Sequence, residues 1–188
     1  SGPLLYAAAQ KGIPTVIQEQ NSYPGITNKI LAKKVNRICT GYDGMEKYFP
    51  AEKIIVTGNP VRKDMVDIVD KRIDAATFFG LDSAKKTIVV VGGSQGARSI
   101  NRAVKSGLNQ LRDSGIQLVW QCGVPFLDEA KQAIDECGMN NVRVFDFISR
   151  MDYAYAISDL IISRAGASTV SELCVVGKPA ILIPLPTA

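Results

Sequence analysis

Thr87-Ile-Val-Val-Val91, running directly into Gly92-Gly-Ser-Gln-Gly-Ala97, decides the fold. An unbroken β-branched run suits a strand covered on both faces, the setting of a central strand in a parallel sheet. The glycines permit a tight turn, and a helical pattern over Ala97–Ser114 follows. Strand, turn and helix in that order make one βα unit. Working outward, the same alternation predicts strands at Thr15–Gln18, Arg37–Thr40, Ile54–Thr57, Gln117–Gln121, Val142–Phe145, Leu160–Ser163 and Ala180–Ile183. Helical patterns fall at Pro3–Gln10, Gly25–Lys34, Asp43–Tyr48, Pro125–Glu136, Met151–Ile157 and Thr169–Val176. The fold class is α/β with parallel sheets, and ligands of such sheets sit at the carboxyl ends of the strands. A boundary near Gly58-Asn-Pro-Val-Arg62 and a polar run over 62–83 read as a crossover between two domains, residues 1–60 and 61–188. Both domains look cut short, the first opening on a helix and the second stopping just after a strand.

The composition, 46% hydrophobic and 21% charged, is that of a globular protein and excludes disordered and fibrous classes. A net charge of +4 suits an anionic ligand or an acidic membrane surface but is too small for a nucleic-acid partner. No apolar run approaches the roughly 18 residues of a membrane span, and the first residues lack the layout of a signal peptide. Cys39, Cys122, Cys137 and Cys174 have no C-x-x-C spacing and read as reduced thiols of a cytoplasmic protein. Histidine is absent, which removes the most versatile acid–base side chain at neutral pH.

Five loops at strand ends carry the chemistry. Val91–Ala97 is either a phosphate-cradling loop at a helix N-terminus or a close-packed turn. It lacks the Lys-Ser/Thr of a P-loop. The next strand ends in Gln121-Cys122 rather than an acidic residue, which disfavours a dinucleotide. Ser163–Glu172 offers Ser168 and Thr169 at a helix start, where a diphosphate would find hydroxyls and amides, and Glu172 one turn in, where a ribose would find a carboxylate. Thr169-x-x-Glu172 is equally a capping box. Arg62, in Asn59-Pro-Val-Arg62, offers a planar fork to a phosphate or makes a surface salt bridge. Glu19–Gly25 offers carboxamides to sugar hydroxyls or leads into a helix. Asp146–Ser149 offers backbone to a base edge or is an ordinary turn.

Taken in order, E-Q-N…P-G-x-T-N, T-G-N-P-V-R, G-G-S-Q-G-A, S-R-A-G-A-x-T-V-x-E and G-K-P-A-I-L-I-P-L-P resemble the MurG family over essentially the whole chain, Ser1 to Pro186. Members of that family transfer N-acetylglucosamine from UDP-GlcNAc to lipid I, giving lipid II for peptidoglycan. The resemblance implies a GT-B architecture of two Rossmann-like domains with parallel sheets, both incomplete here. Residues 1–60 would be the later part of the acceptor-side domain and 61–188 most of the donor-side domain. It further implies that Arg62 and Ser94 contact the donor diphosphate, with Gln95 nearby, and that the Ile148 backbone reads uracil. Ala167, Ser168 and Thr169 would surround the phosphates, Glu172 would hold the ribose and Asn21 would touch the sugar. The implied chemistry is inverting and needs no metal or cofactor, the muramyl hydroxyl attacking directly. The implied partners are UDP-GlcNAc, the lipid I acceptor and other cell-wall synthesis proteins, and the implied place is the cytoplasmic face of the cell membrane, held peripherally.

This sequence departs from the family in three ways. The N-terminal glycine-rich loop with its proposed histidine base does not occur in it, nor does the glutamine-bearing segment expected beyond Ala188, and Gln18 stands where many relatives carry histidine. No catalytic base is thus expected within these residues, and a polypeptide with these ends is expected to bind donor weakly and not turn over. Two other readings use the same loops: a non-catalytic nucleotide-sugar-binding subunit completed by a partner chain, and a UDP-GlcNAc epimerase.

Overall fold

A computed structural model describes residues 2–65 and 67–185, so the expected ends of the resemblance, Ser1 and Pro186, lie outside the described residues. The chain divides into two compact units, Ser1–Val61 and Arg62–Ala188.

The first unit runs α1 (Gly2–Gln10), β1 (Val16–Glu19), α2 (Ile26–Ala32), β2 (Arg37–Thr40) and β3 (Ile54–Val56). Its strands are parallel in the order β1-β2-β3. Alternation decides which side chains enter the core: Ile17 and Ile38 point inward onto Leu31, Ala32, Val35, Met45 and Phe49. The helix expected over Asp43–Tyr48 is a single 3-10 turn at Met45–Lys47. Gly44 precedes it at a positive φ of 75° and Pro50 follows, which leaves no room for a full α-helix.

The second unit holds α3 (Arg72–Phe79), β4 (Thr87–Val91), α4 (Arg98–Ser106), α5 (Leu108–Ser114), β5 (Gln117–Gln121), α6 (Leu127–Glu136), β6 (Val142–Phe145), α7 (Met151–Ile157), β7 (Leu160–Arg164), α8 (Ala167–Val176) and β8 (Ala180–Ile183). Its five strands are parallel in the order β6-β5-β4-β7-β8. Every residue of β5 is buried. The side chains of Leu118 and Trp120 join Val90, Ile100, Leu108, Phe126 and Ile134 in one core, each large side chain contributing about 2 kcal/mol by leaving water. The polar ends of β5 are paired: Gln117 bonds both backbone groups of Asp82 and the Thr87 hydroxyl. Trp120 Nε1 donates to Asn101 Oδ1 at 3.1 Å, and Asn101 Nδ2 donates to the Cys122 carbonyl at 2.7 Å. The four cysteines are free, and burial pushes the Cys122 thiol up to about 11.

Two expectations need correcting here. The single helix expected over 97–114 breaks at Gly107, whose amide is shared between the Ala103 and Val104 carbonyls, giving α4 and α5. The polar crossover 62–83 contains a helix, α3, which buries Ala75, Ala76 and Phe79. Its exposed face also carries large apolar residues, Ile73 and Phe78, so the amphipathic signal is weak.

Candidate functional site

Because every strand of the second sheet is parallel, the carboxyl ends of β4, β5, β6 and β7 share one edge. The strand order turns back between β4 and β7, where Val91 pairs with Ser163. At such a switch point the loops diverge and leave a crevice. The glycine loop 92–97 and the Ala165-Gly166 turn ahead of α8 border it.

The glycine loop is a tight turn closed by Gly96 N–H on the Gly93 carbonyl at 2.9 Å. Gly96 sits at a φ of +73° with its α-carbon against the Cys122 carbonyl, where a methyl group would collide. Only glycine meets both conditions. The loop is thus pressed onto the 122–123 backbone, with Ser94 and Gln95 exposed at its crest. Arg98, Arg164 and Leu185 line an open cleft beside it. Arg164 is held there by bonds to the Pro184 carbonyl at 3.0 Å and Ser99 Oγ at 2.8 Å.

Gln121, 3% exposed, joins the loops. Its Nε2 donates to the Gly93 carbonyl at 2.9 Å, and its Oε1 accepts the Ile148 N–H at 2.8 Å. One amide at the end of β5 therefore fixes both the glycine loop and the 146–149 turn. Ile148 is buried and its N–H is engaged by Gln121.

The N-cap of α8 is Gly166, an extended residue with no side-chain capping bond. The first intrahelical bond is Val170 N–H to the Gly166 carbonyl at 2.9 Å. The amides of Ala167, Ser168 and Thr169 precede it and point out of the N-terminal end, which carries the positive pole of the helix. Thr169 is the third residue of α8 and not its cap, so the Thr169–Glu172 capping box does not form. Glu172 is half-buried and instead accepts a hydrogen bond from the Tyr155 hydroxyl at 3.1 Å. Burial and the Glu172 charge push the Tyr155 phenol up, opposed by the positive charge of Arg62. Arg62 is exposed, with one guanidinium nitrogen 4.0 Å from Met65 Sδ. The Lys63–Met65 turn packs on both α7 and α8, which brings Arg62, Tyr155 and Glu172 into one neighbourhood.

Asn21 belongs to the first unit. Its backbone N–H and Nδ2 donate to Glu19 Oε1 at 3.0 and 3.1 Å, while Gly25 N–H and Asn28 Nδ2 donate to Oε2 at 3.0 and 2.9 Å. Burial alone would raise the Glu19 carboxyl, but these four donors outweigh it and lower it. Glu19 therefore organises the whole Glu19–Asn28 loop, and the Asn21 side chain keeps its Oδ1 for a further partner.

Residues 87–188 match the glycosyltransferase family 28 C-terminal domain, and residues 1–40 match the glycosyltransferase family 28 N-terminal domain. The chain belongs to glycosyltransferase family 28. Among its family 28 relatives, the UDP-N-acetylglucosamine–N-acetylmuramyl-(pentapeptide) pyrophosphoryl-undecaprenol N-acetylglucosamine transferase of Parabacteroides distasonis is 53% identical over 186 residues, 99% of this chain and 50% of the relative. The protein of the same name from Christiangramia forsetii is 54% identical with the same coverage. The crystal structure of Acinetobacter baumannii MurG superposes with a TM-score of 0.68 at 32% identity, over 100% of this chain and 50% of that one. UDP-GlcNAc 2-epimerase from Neisseria meningitidis, bound to UDP-GlcNAc, superposes at 0.65 with 16% identity, over 94% of this chain and 54% of that one, a likeness of fold alone. The chain spans about half the length of the curated relatives it matches. The fold is α/β of the GT-B type, with Rossmann-like parallel sheets.

Three residues of this family 28 chain escaped the sequence reading as site organisers. Gln121 had a signal, a polar residue ending an apolar strand at the ligand edge. Glu19 sat inside a quoted motif but showed nothing of its four donors. Tyr155 had no signal, because its hydroxyl meets Glu172 only through the packing of α7 against its neighbours.

Proposed function

We propose that this chain carries the UDP-GlcNAc site of an enzyme that transfers N-acetylglucosamine to lipid I to form lipid II. The observation that carries the reading is the N-terminus of α8, with no side-chain cap of its own and with the Glu172 carboxylate one turn in. The similarity to UDP-N-acetylglucosamine transferases over 99% of the chain supports the donor and the acceptor. In this reading the amides of Ala167, Ser168 and Thr169 meet the diphosphate, with Arg62 and Ser94 beside it and Gln95 nearby. Glu172 accepts the ribose hydroxyls and the Ile148 carbonyl accepts uracil N3–H. The second unit is the donor side and the first belongs to the acceptor side.

Negative charge accumulates on the departing UDP as the glycosidic bond breaks. The α8 amides are fixed before that charge develops and Arg62 adds a positive charge beside them, and losing one such donor costs about 3 kcal/mol of transition-state stabilisation. The attack is direct and inverting, by the muramyl hydroxyl, without a metal. A lipid-linked acceptor puts the work at the cytoplasmic face of the cell membrane, alongside other cell-wall synthesis proteins.

Thermal unfolding with added nucleotide tests the donor. UDP should raise the melting temperature and ADP should not; equal shifts from both would remove the uracil assignment. In the enzyme, Arg62→Ala should lower kcat by about a hundredfold with a smaller change in donor affinity, because the charge it meets peaks in the transition state. An unchanged rate removes Arg62 from the mechanism.

A further inference from the structure

Tyr155 is 2% exposed, so its ring is fixed within the second unit and its hydroxyl cannot reach a ligand in the crevice. Among the described residues that hydroxyl has one hydrogen-bond partner, Glu172 Oε2 at 3.1 Å. The helix carrying it is held firmly at its carboxyl end. Ser158 Oγ donates to the Tyr155 carbonyl at 2.8 Å, Arg72 donates to the Ile157 carbonyl at 2.8 Å and Lys178 donates to the Ser158 carbonyl at 2.9 Å. A glutamate on the first turns of a helix has three rotatable bonds, and freezing them on binding is costly. A rigid phenol that donates to one carboxylate oxygen removes most of that cost in advance. It leaves the other oxygen, and the remaining lone pairs, for an incoming diol. Burial and the Glu172 charge keep the phenol protonated, so it stays a donor at any working pH.

We propose that Tyr155 is a positioning residue that presets Glu172 for a vicinal diol and thereby makes this site select ribonucleotides over 2′-deoxyribonucleotides. The proposal rests on the assignment of Glu172 to the ribose. Tyr155 itself touches no ligand, and its effect is confined to the hydroxyls that Glu172 reads.

The test is a titration of UDP and 2′-deoxy-UDP into the protein and into Tyr155→Phe and Glu172→Ala. The unsubstituted protein should prefer UDP by about tenfold, the value of one hydrogen bond to a charged group. Tyr155→Phe should cut that preference to about threefold by weakening UDP more than 2′-deoxy-UDP, which keeps only the 3′-hydroxyl for Glu172. Equal weakening of both nucleotides would make Tyr155 merely structural and overturn the proposal, as would a preference left intact. Glu172→Ala separates the two layers. If it abolishes the preference, the ribose assignment stands and Tyr155→Phe alone decides the proposal. If it leaves the preference whole, the ribose assignment fails and the proposal fails with it. Should Tyr155→Phe not fold, NMR of the tyrosine ring carbon bearing the hydroxyl gives the second reading. Its resonance should move further on adding UDP than on adding 2′-deoxy-UDP, and the same response to both overturns the proposal.

Discussion

Thr169 shows how one residue's meaning depends on where a helix starts. In a capping box its hydroxyl would satisfy a first-turn amide, and replacing it would cost about 1 kcal/mol. Here α8 starts at Ala167 and its N-cap is Gly166, so Thr169 lies in the third helical position with no capping bond. Thr169→Ala should therefore change stability by less than about 0.5 kcal/mol, the range of ordinary surface substitutions. Urea unfolding measures it, and a loss of about 1 kcal/mol or more would restore the capping box. Gln121 is the converse case. Its sequence context excluded an acidic residue from that strand end, but only the fold places its amide between the Gly93 carbonyl and the Ile148 N–H.

At the scale of elements, α3 ties the second unit together through its first residue. Arg72 donates to the carbonyls of Ser83, Lys85 and Ile157 and to the Asp159 carboxylate, at 2.8 to 3.0 Å. These bonds join the start of α3, the approach to β4 and the end of α7, the helix that carries Tyr155. Arg72→Ala should destabilise the protein by about 3 kcal/mol, because it leaves partly buried acceptors without their donor. Arg72→Lys should recover less than half of that, since an ammonium cannot reproduce the planar fork. Chemical denaturation of both variants checks this, and full recovery by lysine would reduce the role to charge alone.

Across the whole molecule, acid should weaken the second unit through two of its aspartates. Arg150 donates two bonds to Asp152 and brings its carboxyl down to about 2, with burial opposing and Lys71 assisting. Burial would raise Asp159, but the Thr87 amide, Lys86 and Arg72 outweigh it and hold this carboxyl at about 2 as well. Both values lie below the ordinary aspartate value of about 3.9. A carboxylate depressed in the folded state stabilises that state above its unfolded pKa, and the gain is lost as pH falls from about 4 through about 2. The loss should be on the order of 1 kcal/mol for each group once solvent screening is allowed for. Urea midpoints across that range should fall, and Asp152→Asn with Asp159→Asn should flatten the dependence; an equal fall in the double variant would place the acid sensitivity elsewhere. The βα alternation was legible because burial on two faces leaves a continuous apolar imprint, as in β5, and strand ends with glycine or polar residues marked the ligand edge. α3 was not, since a helix that buries mainly alanine carries little contrast. The amino-acid sequence by itself determined the parallel α/β class and the set of candidate loops at the strand ends. Only the tertiary structure decided that Gly166 and not Thr169 opens α8, and that Glu172 answers to Tyr155. A hydrogen bond between residues on different helices depends on packing direction, and no local pattern of residues encodes that.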